Sequence, residues 1–240
     1  MPSQELAEPS INPASELLMY ASPLAGMSAI GLGLASLFGK GPSILRDRPL
    51  VSVALVCGGS VLLAKSQFDR FLLEEPDYKV EREVNGLEIR TYAPRLVAET
   101  TVDAPNFDEA RKLGFQRLAG YLFGDNAPEE RLSMTTPVTL AETSGRYVMR
   151  FQMPKHERYA SLPRPNDPRV VLRRLPRDRL AVLRFSGTYA AAKIEAKQRE
   201  LLERLEAAGF QAAGQPSFAG YDSPAALPPL RRVEVWVSIS

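Results

Sequence analysis

The stretch YKVEREVNGLEIRTYAPRLVAETTV, Tyr78 to Val102, decides the class of the fold. Apolar side chains at Val80, Val84, Leu87, Ile89, Val97 and Val102 are set among polar neighbours, the pattern of strands with one buried face. Asn85-Gly86 interrupts the run with a residue pair suited to a two-residue hairpin turn, whose central positions need positive φ. The next segment, NFDEARKLGFQRLAGYLFG (Asn106 to Gly124), changes period. Phe107, Ala110, Gly114, Leu118 and Tyr121 fall on one helical face, with Asn106 and Glu109 as a capping pair and Gly124 as the stop. LSMTTPVTLAET and RYVMRFQMP then read as two further strands.

The order repeats downstream. RVVLRRLPRDRLAVLRFSG (Arg169 to Gly187) alternates, and YAAAKIEAKQRELLERLEAAGF (Tyr189 to Phe210) sets Ile194, Leu201, Leu205 and Ala208 along one stripe. Glu195 and Arg199, like Glu200 and Arg204, are spaced for i,i+4 ion pairs, and Gly209 suits a helix C-terminus. Short strands near Ser217–Tyr221 and Arg232–Ile239 complete the set. Each half can be written strand–helix–strand–strand, an internal duplication. Neither half alone covers its helix stripe and sheet face. Joined, they predict one α+β domain over residues 76–240, with two helices on one side of a continuous sheet and an open concave face on the other.

Residues 1–75 form a separate region. The runs Leu17–Gly39 and Pro49–Ala64 carry no charge, and Lys40, Arg46, Asp47 and Arg48 lie between them. The first run is long enough to span a bilayer. Only acids precede Leu17, whereas a signal peptide begins with a positive flank, so cleavage is not expected. The expectation is a membrane anchor within residues 17–64 and a membrane-associated protein, the side left open. A helical pair buried against the domain or a partner, or a flexible tail, are the alternatives.

Composition excludes several functions. The net charge is +2 and the signs are mixed along the chain, which argues against a nucleic-acid binder. Arg164, Arg169, Arg173, Arg174, Arg177, Arg179 and Arg184 are locally dense; they suit an anionic ligand or a solvated strand face. Cys57 is the single cysteine, so an intramolecular disulfide, a cysteine zinc site and a CxxCH haem attachment are all ruled out. There is no GxGxxG, P-loop, HExxH or GxSxG motif, and the expectation is a binding domain rather than an enzyme.

The single histidine, His156, lies in MPKHERYASLPRPNDP, where Pro154, Pro163, Pro165 and Pro168 call for a loop. Lys155, Glu157 and Arg158 beside it suggest a surface position, the alternative being an iron or other metal ligand. Met134, Met149 and Met153 are soft ligand candidates. Met149, Phe151 and Met153 alternate on one strand face, as core or as the wall of a flat apolar pocket, with Tyr147 expected elsewhere.

Taken together, YKVEREVNGLEIRTYAPRLVAET, FDEARKLGFQRLAGYLFGDN, LSMTTPVTL with its Met134 and Thr135-Thr136-Pro137-Val138, FQMPKHERYASLPRPNDPRVVLR, RLAVLRFSGTY and GYDSPAALPPLRRVEVWV resemble the SOUL haem-binding protein family over about residues 77–240. The resemblance implies a distorted barrel-like α+β fold of two duplicated halves, similar to effector-binding domains of multidrug-responsive regulators. It implies non-covalent binding of haem or a related tetrapyrrole, for sequestration or delivery. The macrocycle would lie in an apolar groove contributed by Met134, Met149, Phe151 and Met153. Arg173 and Arg231 are the basic side chains for its propionates, and His156 is the candidate iron ligand. The sequence departs from the family in three places. It has no histidine between Asp103 and Asn126, Ala225 and Ala226 follow Pro224, and Val233 stands where Arg-Arg-Asn-Glu is common. A small-molecule effector module with a hydrophobic or cationic ligand, or a membrane-tethered interaction protein, are the alternative functions.

Overall fold

A computed structural model of the chain describes residues 73–223 and 226–240, with positions 35 and 57. The chain divides into two units, residues 1–68 and 69–240, and the elements below belong to the second. The expected membrane anchor at residues 17–64, and Ala225, lie outside the described residues. Among the described residues no helix is long and apolar enough to cross a membrane.

The strands are β1 (Tyr78–Val84), β2 (Leu87–Tyr92), β3 (Arg95–Val102), β4 (Val138–Thr143), β5 (Arg146–Gln152), β6 (Val170–Leu175), β7 (Asp178–Phe185), β8 (Ser217–Gly220) and β9 (Val233–Ser238). Helix α1 (Phe107–Leu122) follows β3, and α2 (Ala191–Ala207) follows β7. The nine strands form one antiparallel sheet in the order β1-β2-β7-β9-β8-β4-β5-β3-β6, curled into a half-barrel.

The duplication is real, but each repeat holds one strand more than the sequence suggests. β2-β3-α1-β4-β5 and β6-β7-α2-β8-β9 are the two units, with β1 added in front. Reading the strand order from β2 to β6 backwards, with the two units exchanged, returns the same order. The first strand of each unit pairs with the other unit, β2 with β7 and β6 with β3. That exchange makes the two halves one sheet.

Local chemistry sets the elements as expected. Asn85 and Gly86 take φ of 50° and 72°, and Ser144 and Gly145 take 52° and 75°, the paired left-handed residues of a tight hairpin turn. The Asn106 side chain accepts from Glu109 N at 2.9 Å to cap α1. Past α2, Gly209 has φ of 76°, and the Gly209 and Phe210 amides donate to Glu206 and Leu205 carbonyls at 2.9 and 3.1 Å, closing the helix with a Schellman arrangement. Glu200 pairs with Arg204 at 2.5 Å, whereas no ion pair joins Glu195 to Arg199 among the described residues.

Both helices lie on one face, α1 over β3, β5 and β6, and α2 over β9, β7 and β2. Ala110, Leu118, Tyr121 and Leu122 from α1, and Ile194, Leu201 and Leu205 from α2, are buried against Leu87, Ile89, Ala98, Leu140, Ala181, Val235 and Val237. A buried leucine or isoleucine contributes about 1.5–3 kcal/mol, so these stripes hold the helices down. Val80 does not join them: β1 is an exposed edge strand, and its Lys79, Glu81, Arg82 and Glu83 discourage further strand pairing.

The second face differs from the open surface expected. Tyr92, Leu180, Val182, Ala219, Tyr221 and Trp236 form a buried apolar cluster there. Within it, Arg90 and Glu234 are 1% and 0% exposed and joined by two hydrogen bonds of 2.9 and 3.1 Å.

Candidate functional site

Three strand ends meet beside the β2–β3 turn. The turn contributes Ala93 and Pro94, β3 begins with Arg95 and Leu96, β5 ends at Gln152 and is followed by Met153, and β6 ends with Arg174 and Leu175. The loop Pro154–Tyr159 folds over this corner, and Glu74–Asp77 runs along its other side. Together they enclose a cavity of about 500 Å³.

Both covering segments are pinned by polar contacts. Glu74 bridges to Thr135, and its carbonyl accepts from Thr136 N at 2.9 Å. Its carboxylate accepts from Lys155 N at 2.5 Å, and Lys155 Nζ reaches Asp77 Oδ1 at 2.5 Å. The Asp77 carbonyl accepts from Ala93 N at 3.2 Å.

The lining combines apolar and charged chemistry. Leu96, Met153, Leu175 and Tyr159 supply apolar surface, while Arg95, Lys155, Arg158 and Arg174 supply cations. Arg95 donates through Nη1 and Nη2 to Asp178 at 2.8 and 3.1 Å, which fixes its plane. Its Nε is buried with no protein partner, as is Gln152 Oε1, although Gln152 is only 3% exposed. An unpaired buried polar group costs about 1–3 kcal/mol. Both residues contribute to the cavity wall. Arg174 stacks 5.1 Å from the Tyr159 ring centre, and beyond this pair a surface recess continues over Leu172 and Arg173.

The sequence candidates disperse. Met153 lines the cavity. Met149 and Phe151 are core: Met149 is 0% exposed and lies against Gly114 of α1, and the Phe151 ring packs 5.3 Å from Phe115. Strand alternation brings Tyr147 to their face, where it packs against the same core, contrary to expectation. Met134 is half-buried against that core as well. The His156 side chain is 71% exposed, its Nε2 3.5 Å from Glu157 Oε1, and it is not part of the cavity wall. Among the described residues no three His, Cys, Asp or Glu side chains gather as a metal site.

Arg173 and Arg231 are not neighbours. Arg173 gives its Nε to Glu99 at 2.7 Å on the edge strand β6. Arg231 lines another cavity, over the Tyr189 ring and bonded to the Ala226 carbonyl at 2.7 Å. Five strand spacings separate β9 from β6, about 24 Å along the sheet at ~4.8 Å each. The two arginines line different recesses. Arg95, Gln152 and Tyr159 were missed from sequence, and Arg174 was named only as one of seven dense arginines. Arg174 was visible beside Arg173, but nothing local distinguishes the two.

On the second face, Glu234 is fully compensated. It accepts from Arg90, from Arg232 Nε at 3.0 Å, from Tyr221 at 2.8 Å and from Trp236 Nε1 at 2.7 Å. Burial alone would raise its pKa, but the hydrogen bonds and charges of Arg90 and Arg232 bring it below the usual carboxylate value. The same burial pushes the Tyr92 hydroxyl up to about 12. Among the described residues this face keeps no spare buried carboxylate for a cationic ligand.

Comparison with known proteins accords with this architecture. Mouse heme-binding protein 2 is 28% identical over 178 residues, covering 69% of this chain and 85% of the relative. Human heme-binding protein 2 is 28% identical over 177 residues with the same coverage. In fold alone, the C-terminal domain of EcmrR is similar, with a TM-score of 0.51 at 12% identity, covering 68% of this chain and 98% of that domain. The family model described as SOUL heme-binding protein matches residues 73–238. By that match, which takes in every strand and both helices of the sheet domain, the chain belongs to the SOUL heme-binding protein family.

Proposed function

We propose that this protein binds haem or a related tetrapyrrole non-covalently in the cavity between Glu74–Asp77 and Pro154–Tyr159, and sequesters or delivers it at a membrane reached through residues 17–64. Family membership supports the ligand class. The observation that carries the site is the joining of Leu96, Met153, Leu175 and Tyr159 to the cations Arg95, Lys155, Arg158 and Arg174, set beside the carboxylates Glu74, Glu75, Asp77 and Glu157, in one cavity of about 500 Å³. That size falls within the roughly 300–1,000 Å³ of small-molecule sites. Tetrapyrroles are flat and apolar, with carboxylates at one edge, and arginine is the side chain best shaped for carboxylates. Met153 and Tyr159 are the wall residues whose side-chain types serve as haem-iron ligands elsewhere.

Titrating the full chain with haemin is expected to give a saturable Soret change complete at one equivalent. Met153→Asp should weaken it at least about tenfold by placing a charge among apolar walls and opposite the propionates. His156→Ala should leave band position and affinity unchanged. An unsaturable titration, with albumin responding in parallel, would overturn the reading. A lost Soret band in His156→Ala alone would move the site to the exposed loop.

A further inference from the structure

The two edges of the sheet differ in charge. β1 closes one edge with both signs, Lys79, Glu81, Arg82 and Glu83, whereas β6 closes the other with Arg173 and Arg174 and no acid. Only one side of β6 is paired. Met153 N donates to the Leu96 carbonyl, so the even residues of β3 bond towards β5. Its odd residues, Arg95, Val97 and Glu99, then bond towards Leu175, Arg173 and Val171 of β6. The same alternation turns the amides and carbonyls of Leu172 and Arg174 outward, where no backbone group meets them among the described residues. Val171, on this edge, is 43% exposed.

The carboxylates around this edge do not cancel its cations. Glu99 carries one charge and accepts from both Arg150 and Arg173, at 2.7 Å each. Asp167 is likewise shared by Arg117 and Arg169, and Asp178 is taken by Arg95. Arg174 stacks on Tyr159 and Arg177 is exposed in the β6–β7 turn; neither forms an ion pair among the described residues. The recess outside the strand is lined by Tyr159, Leu172, Arg173 and Arg174, without a carboxylate. The acids Glu74, Glu75, Asp77 and Glu157 line the neighbouring tetrapyrrole cavity instead. Two arginines guard β6 against another copy of itself, because a second β6 would set like charges face to face. They are no guard against an acidic strand.

We propose that β6 receives an extended, acidic segment of a partner protein as an added strand of the sheet. Running antiparallel, the segment sets two acidic residues opposite Arg174 and Arg173 and two apolar ones opposite Leu172 and Val171. Its backbone pairs with that of Leu172 and Arg174, which supplies affinity, while the arginines select the charge. Arg174 and Tyr159 also belong to the tetrapyrrole cavity, so the test omits haemin and its outcome is independent of that ligand.

Fluorescence anisotropy of a fluorescein-labelled peptide, Thr-Glu-Glu-Val-Val-Thr, titrated with the full chain tests it. Saturable binding is expected. Exchanging both glutamates of the peptide for glutamine should weaken it about tenfold, and so should Arg173→Ala combined with Arg174→Ala, since each removes two opposed cross-strand charges. Two further peptides, N-methylated on alternate amides in the two possible phases, separate strand pairing from charge attraction. The phase whose methyl groups face β6 should bind at least about tenfold more weakly, having lost its hydrogen bonds to the edge; the other should bind as the parent does. Equal affinities for the two methylated peptides, or unchanged binding in the double arginine variant with an unchanged circular dichroism spectrum, would overturn the proposal. So would the absence of saturable binding, and self-association of the full chain in its place would give the edge to a second copy.

Discussion

Glu234→Ala is expected to destabilise the domain by about 3–5 kcal/mol, the cost of leaving one member of a buried ion pair without its partner. Arg90 is 1% exposed and gives both terminal nitrogens to this carboxylate. Tyr221 and Trp236 lose their acceptor at the same time. Glu234→Gln should cost less, because its amide oxygen still accepts two of these bonds. Urea unfolding followed by far-ultraviolet circular dichroism measures both; a loss below about 1 kcal/mol for the alanine variant would show that Arg90 relaxes to solvent. The pH dependence has a definite sign. The folded-state pKa of Glu234 lies below its ordinary value of 4.5, so the unfolded chain takes up the proton first. Its stabilisation is present above about pH 4.5 and is lost as pH falls through the folded value. Glu234→Gln should therefore flatten the acid limb of stability against pH.

Met149→Ala should cost about 2–5 kcal/mol, the range for truncating a buried large side chain into a rigid surround. Met149 is 0% exposed, and a Cβ added to Gly114 would lie 3.1 Å from both its Cβ and its Sδ. That approach predicts coupling. Gly114→Ala alone crowds Met149 at Cβ, Sδ and Cε; in the Met149→Ala background the Sδ and Cε contacts are gone and only the 3.1 Å Cβ contact remains, while the alanine favours the helix by about 1 kcal/mol. The two changes should therefore be non-additive, the double variant losing less than the sum of the single losses. Haemin affinity should follow Met153 and ignore Met149. A large fall in haemin affinity for Met149→Ala, at unchanged apo-protein stability, would return Met149 to the ligand wall.

These two residues show what could be read from the chain. Met149, Phe151 and Met153 share parity along one strand, and parity correctly separates them from Arg150 and Gln152. It does not tell a core from a pocket. Met149 meets α1 and becomes core, whereas Met153, also buried with the core, lies just past the end of β5 and reaches the cavity wall. His156 was legible as a loop residue because four prolines and three charged neighbours are local signals. Arg95 and Gln152 carried no such signal: their unpaired atoms exist only because the β3 start, the β5 end and residues 74–77 converge.

The sequence by itself determined the elements, the hairpin turns, the helix caps and the existence of a repeat, because each depends on side chains within a few residues of one another. It also determined the family, through motifs kept in order along the chain. Tertiary structure alone decided that β2 and β6 exchange between the halves, that Glu234 is neutralised on a face expected to be open, and that Arg173 and Arg231 line different recesses. Those outcomes rest on pairings between residues far apart in the chain, such as Arg90 with Glu234 or Arg95 with Asp178. Charge and periodicity along the chain carry no record of such partners, because the pairing energy arises only once the sheet has closed and removed the groups from water.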